Sequence, residues 1–317
     1  APKRDPKVVL GWNALAISAL ARGAALLDEP VFREAAVGAY TSLKDSLVVD
    51  DGFLRRRDGQ VVGNPATLQD AALWIKCCLD LYEATFRVEF VSEAIRSWQL
   101  ILRDFGPLEE GEGLHEAPEG AEVLLGRRQE FFDGAIPSGN ATMARCLLRL
   151  HELTGEAQYR SHAEHIIAAG LRSIGPYPTG SAELLLAVQA LTRATPAVAV
   201  VGDPAQEQTR SLLNAVIQSP IPFSVVAFRP AGKAGEKAAD VISLLQDRGG
   251  EGTTQAFLCV DQVCDLPTAD VEALSSRLLE IAQTLRSTAE PGEEATEEVI
   301  EEPSEKTVEE KTDSEGS

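Results

Sequence analysis

The residue types and spacings best suited to chemistry are two acids, a tryptophan and a polar helix start. Asp133 opens the run DGAIPSGN at 133–140, where a carboxylate beside Ser138 and Asn140 could serve as a general acid or base with hydrogen-bonding groups at hand. Asp70 falls in the first turn of an otherwise apolar helical stretch. Paired with Asp133 across a cavity, it would supply the two-carboxylate arrangement that glycoside chemistry uses. Trp12 and Asn13 begin another helix, and an indole there is suited to stacking on a sugar ring. Each of these has a plainer account. Pro137 with Ser138 or Asn140 can start and cap a helix, Asp133 can close a turn, Asp70 complements the helix dipole, and Trp12 can pack between helices. Both accounts stay open at the level of sequence.

Other constellations are thinner. Cys259 and Cys264 flank a turn expected at Asp261-Gln262, and they read either as a redox pair or as structural thiols, since their spacing is not that of a CxxC motif. His162 and His165 share a helix without a third ligand at recognisable spacing, so no metal site is expected. Gly202 follows an apolar strand but lacks a phosphate-loop pattern, and no cofactor is implied.

These residues need elements to hold them. The chain has 317 residues, 44% hydrophobic and 25% charged, which suits a folded core. Apolar residues recur at helical spacing from Lys7 to Leu27, to Val48, over Pro65–Thr85, over Glu89–Phe105, after Asn140, after Gly155 and over Ser181–Ala194. An aromatic followed four positions later by Ala opens three of these segments: Phe32/Ala36, Phe90/Ala94 and Tyr159/Ala163. That repeat, 58 and then 69 residues apart, predicts stacked αα-hairpins with variable loops. Residues around 50–59 read as a short hairpin, and 106–134 as a long connection. From Pro196 the texture changes to strands at 197–203, 222–230 and from 256, with helices near 205–217, 235–247 and 268–287. The expected divisions are a helical segment at 1–195, a small α/β subdomain at 196–287 and a disordered acidic tail at 288–317.

The net charge of −20 argues against nucleic acid and against an acidic membrane surface as partners. No uninterrupted apolar run reaches the ~18 residues of a membrane span. An odd cysteine count, with Cys77, Cys78 and Cys146 in helical patterns, points to a reducing, cytoplasmic compartment. A start on APKRDPK without Met suggests a trimmed or partial chain.

In order, KVVLGWNALAISALA, LQDAALWIKCCLDLYEAT, FFDGAIPSGNATMARCLLRL, PTGSAELLLAV and FLCVDQVCDLP resemble the C-terminal half of the spermatogenesis-associated protein 20 family over about residues 5–285. The resemblance implies a six-hairpin (α/α) toroid of the glycosidase and N-acylglucosamine 2-epimerase type, incomplete here, with the family's thioredoxin-like domain and first hairpins missing. Position 69 is Gln and position 71 Ala where the family has Glu and an aromatic. Two functions follow as expectations. One is a non-catalytic scaffold that docks the missing half or a separate thioredoxin-like partner. The other is a sugar isomerase-, epimerase- or glycosidase-like enzyme using Asp133 and Asp70, with Trp12, Asn13, Ser138 and Asn140 around a sugar ligand.

Overall fold

Helical spacing of apolar residues builds the first two-thirds of the chain. The computed structural model describes residues 5–287 except 60, 123–125, 176, 220, 250, 251, 261 and 262. The expected acidic tail and the turn at 261–262 therefore lie outside the described residues. Helices α1 (Leu10–Leu27), α2 (Pro30–Leu47), α3 (Leu68–Thr85), α4 (Glu89–Phe105), α5 (Gly139–Thr154), α6 (Ala157–Ile174) and α7 (Ala182–Thr192) follow in order. Helix α2 packs on α1, α4 on α3 and α6 on α5, while α1, α3, α5 and α7 stand side by side in a row. The protein is thus mainly α, an αα-hairpin array with an inner row and an outer layer.

The aromatic–Ala pairs fall in the first two turns of α2, α4 and α6, so the repeat marks the outer member of each hairpin. Ala36, Ala94 and Ala163 are fully buried, which lets each outer helix approach its partner closely. Helix α3 is the centre of the array, with 14 of its 18 residues buried. Tyr40 of α2 stacks on Trp74 of α3 at 4.7 Å and meets Phe90 of α4 edge-on at 4.9 Å, an arrangement that adds to the burial of three rings.

Helix α1 is long and apolar enough, by length and composition, to cross a membrane, at mean hydropathy 1.3 over 18 residues. Asn13 and Arg22 interrupt it, so a count of uninterrupted apolar residues passes it over. Here it packs on α2 and α3.

The expected hairpin near 50–59 is part of a larger antiparallel sheet. In it β3 (Gly52–Asp58) pairs with β1 (Val8–Val9), β2 (Val48–Val49) and β4 (Val61–Pro65). The α/β part comprises β5 (Pro196–Gly202), α8 (Glu207–Ile217), β6 (Val225–Pro230), α9 (Lys233–Val241), β7 (Gln255–Val260), β8 (Val263–Cys264) and α10 (Val271–Ser287). Its sheet order is β6-β5-β7-β8, with only β5 and β6 parallel. The helix expected to reach 247 stops at Val241, because Ile242 turns extended and buries its side chain completely.

Strand β5 is buried along its whole length, as an apolar strand covered on both faces must be. Val198 and Val200 face Leu212, Leu274 and Leu278 of α8 and α10. Ala199, with Val225 and Ala227 of β6, joins the core of the helical array. The α/β part is therefore seated on the helices through one side of its sheet.

Candidate functional site

The starts of the inner helices form one rim, and the sequence-predicted residues gather there. Thr67 and Asp70 make a capping box at the start of α3, which satisfies backbone N–H groups that the first helical turn leaves without partners. Asp70 then reaches further. Its Oδ1 accepts from Gly11 N–H of α1 at 3.2 Å, and its Oδ2 from the Thr67 N–H and hydroxyl at 3.2 and 3.1 Å. Gln69 Nε2 donates to the Pro137 carbonyl at 2.7 Å, tying α3 to the segment that leads into α5. Asp133 completes the series: Oδ1 accepts from Ser138 N–H and Oδ2 from Glu183 N–H of α7, each at 2.9 Å. Three side chains from LQD and DGAIPSGN thus lace four helix starts together.

The remaining predicted residues are placed as follows. Ser138 is the N-cap of α5, its Oγ accepting from Ala141 N–H at 3.1 Å. Asn140 is fully buried; Oδ1 accepts from Leu114 N–H at 2.8 Å, and Nδ2 donates to the carbonyls of Leu114 and Glu130 at 2.9 and 3.1 Å. It pins down the long connection between α4 and α5. Asn13 Nδ2 donates to the Val9 carbonyl at 2.8 Å. Trp12 stands apart from this bonding and is 67% exposed.

Close packing makes the lacing tight. A Cβ on Gly139 would come within 2.7 Å of the Gln69 amide nitrogen, and one on Gly11 within 2.6 Å of Asp70 Oδ1. Only glycine lets the backbones of α1 and α5 approach α3 this closely.

Glu116, which the sequence did not single out, lies on the long connection against the start of α3; its carbonyl accepts from Leu68 N–H at 3.0 Å. Burial, aided by the Asp70 charge, pushes its carboxyl up to about 7. A raised carboxyl stabilises the fold below the ordinary range near 4.5 and loses that contribution as pH rises through about 7. Urea unfolding at pH 5.5 and pH 8 is therefore expected to show the wild type losing stability, by at most about 2 kcal/mol. Glu116→Gln should lose less. Equal losses in both proteins would show that Glu116 does not titrate in this way.

A second feature lies toward the other ends of the inner helices. A cavity of about 490 Å³ lies between α1, α3, α5 and α7 on one side and residues 216, 217, 219 and 221–226 on the other. Its charged lining is Arg22, Asp80, Glu83, Arg145, Arg149 and Glu152. Arg149 bridges Asp80 at 2.8 Å and Glu83 at 2.9 Å, and Lys76 holds the second Asp80 oxygen at 2.6 Å. Burial acts to raise the Asp80 carboxyl, but the two cations outweigh it and hold it at about 2. At Glu83 burial prevails and the carboxyl is raised. One signal pointed here: Asp80, between Leu79 and Leu81, is a charge within the central, mostly buried helix α3, four residues after Lys76.

The cysteines divide into two groups. Cys77, Cys78 and Cys146 are free and buried, while Cys259 and Cys264 are joined as a disulfide across β7 and β8.

By class, this is an αα-hairpin array with a laced inner rim and a seated α/β part. No family model matches the chain. It is similar in sequence to spermatogenesis-associated protein 20 of Mus musculus, 27% identical over 282 residues that make up 84% of this chain and 35% of that protein. The chain thus spans about a third of the length of this relative. Of solved structures, the GH76 α-mannanase of Bacteroides thetaiotaomicron superposes with a TM-score of 0.48 at 13% identity, covering 91% of this chain and 73% of that one. A D-mannose isomerase does so with a TM-score of 0.46 at 12% identity, covering 88% and 72%.

Proposed function

We propose that this chain is the docking half of a larger αα-hairpin assembly, a scaffold whose α1 face receives a further hairpin. The exposed side of α1 carries the reading. Trp12, Ala16 and Ala19 recur at helical spacing along it, with Leu27 toward its end and with Arg22 and Leu26 at the border it shares with the cavity. Trp12, Leu26 and Leu27 are 67%, 49% and 65% exposed. Among the described residues, α3 and α5 have an inner helix on each side, whereas the inner helix packed on α1 is α3. The repeat supports another inner helix as the occupant, approaching closely over Ala16 and Ala19. Similarity to a protein of which this chain spans 35% supports such a supply of hairpins. Docking is favoured over acid/base catalysis because all four carboxylate oxygens of Asp70 and Asp133 are engaged by backbone amides, one of them by the Thr67 hydroxyl as well.

Trp12 provides the test, since Trp74 and Trp98 are fully buried and acrylamide quenching reports Trp12 alone. The chain is mixed with a two-hairpin polypeptide taken from the part of the mouse relative outside the matched region. Co-sedimentation and a severalfold fall in quenching are expected. Ala16→Glu/Ala19→Glu should keep the melting temperature and lose both effects. If the mixture sediments as separate monomers with Trp12 quenched as in the free chain, the docking reading fails.

A further inference from the structure

A charged group, Arg248, lies within hydrogen-bonding distance of both sulfurs of the Cys259–Cys264 disulfide. The guanidinium of Arg248 places Nη1 and Nη2 at 3.4 and 3.3 Å from Cys259 Sγ, and Nη2 at 3.1 Å from Cys264 Sγ. Arg248 is held in place over the Phe257 ring, 4.9 Å from its centroid. The two sulfurs differ in access. Cys259 is 4% exposed, on a strand paired with β5, while Cys264 is exposed on the edge strand β8. The pair lines a cavity of about 110 Å³ together with Arg248, Ser243 and Glu152.

A bridge between residues five apart closes a short loop, and such a bridge constrains the unfolded chain less than one closing a long loop. A guanidinium has little to offer a neutral disulfide but much to offer a thiolate, which it stabilises as a counter-ion. We propose that Cys259, Cys264 and Arg248 form a thiol–disulfide exchange site that takes electrons from an external dithiol. A thiolate of the dithiol attacks the exposed Cys264 Sγ. The Sγ–Sγ bond breaks, and its electron pair stays on Cys259 as a thiolate facing both guanidinium nitrogens. The second thiol of the dithiol gives its proton to solvent and attacks the mixed disulfide, releasing the Cys264 thiolate. Two electrons have then passed to the protein: the dithiol is oxidised to a disulfide, and Cys259 and Cys264 take up two protons from solvent to become thiols.

This assignment fixes which sulfur is attacked and what Arg248 does, and both are measurable on the native chain. The folded protein is treated with limiting glutathione, quenched with iodoacetamide and mapped by mass spectrometry. Glutathione is expected on Cys264 and acetamide on Cys259. With dithiothreitol under native conditions, Arg248→Gln should slow reduction about 3- to 10-fold, and Arg248→Lys should restore most of the rate. An unchanged melting temperature identifies the variants as folded; if one unfolds, the adduct map on the wild type decides. The proposal is overturned by an adduct on Cys259, by reduction only in denaturant, by an Arg248→Gln rate equal to wild type, or by both sulfurs alkylating before any reductant is added.

Discussion

Arg149→Met is expected to lower stability by about 3 kcal/mol, because it strands two carboxylates that the fold has taken out of water. Asp80 is 3% exposed at its side chain and Glu83 29%, and Arg149 is the cation they share, at 2.8 and 2.9 Å. Lys76 stays with Asp80 at 2.6 Å, so Asp80 keeps half of its compensation while Glu83 loses its direct partner. Water entering from the adjoining cavity limits the loss, which places it at the lower end of what removing one member of a buried ion pair costs. The pH dependence separates charge from shape. In the wild type the depressed Asp80 carboxyl stabilises the fold above its unfolded value of 3.8, and that contribution is lost only as pH falls through about 2. In Arg149→Met the depression shrinks, so the deficit against wild type should narrow between pH 5 and pH 2.5. Adding Asp80→Asn and Glu83→Gln to Arg149→Met should recover part of the stability, since no buried charge is then left unpaired. Guanidinium midpoints across that range provide the check. A deficit below 1 kcal/mol, or one that ignores pH, would mean the network contributes shape alone.

That network also shows where sequence reasoning runs out. The pairing of helices was legible because it rests on local facts: apolar spacing, turn residues, and an aromatic–Ala pair at the head of each outer helix. The run DGAIPSGN was legible for the same reason, since Pro137 fixes its own backbone and Ser138 caps the helix that follows it. What these residues hold together was not. Asp70 stood out as an acid in a helix's first turn and Asp133 as one at a turn, and the lacing of α1, α3, α5 and α7 through them depends on how the hairpins are arrayed. Glu116 lies in a connection without periodicity, and only the path of that connection across the start of α3 brings it to Asp70. Arg149 is 66 residues away from Glu83 along the chain, and it meets it only because α3 and α5 are neighbours. The open face of α1 was invisible for another reason: an apolar stripe has the same spacing whether or not it is covered.

The same distinction between local and tertiary cause governs Asn140, the last residue of DGAIPSGN. Asn140→Asp exchanges a buried NH₂ donor for an oxygen that faces the carbonyls of Leu114 and Glu130, from which Nδ2 now lies 2.9 and 3.1 Å. An ionised aspartate there is repelled by both carbonyls, with only the Leu114 N–H left to compensate it. A protonated one can satisfy a single carbonyl. The folded protein therefore favours the protonated form, and the pKa of the introduced acid rises above its unfolded value. Its destabilisation grows as pH rises toward neutrality. The expected cost at pH 7.5 is about 3 to 5 kcal/mol, falling at pH 4.5. Asn140→Ala is the control: it leaves Leu114 N–H and two carbonyls unpaired without adding charge, at about 2 to 3 kcal/mol at either pH. Urea midpoints of the two variants at both pH values test this directly. If Asn140→Asp tracks Asn140→Ala at each pH, the side chain is not held as described. Because Asn140 anchors the connection between α4 and α5, both variants should also become cleavable by protease within 106–134 before the helices unfold. Cleavage confined to that stretch would tie the buried amide to the ordering of the connection that carries Glu116 to the rim.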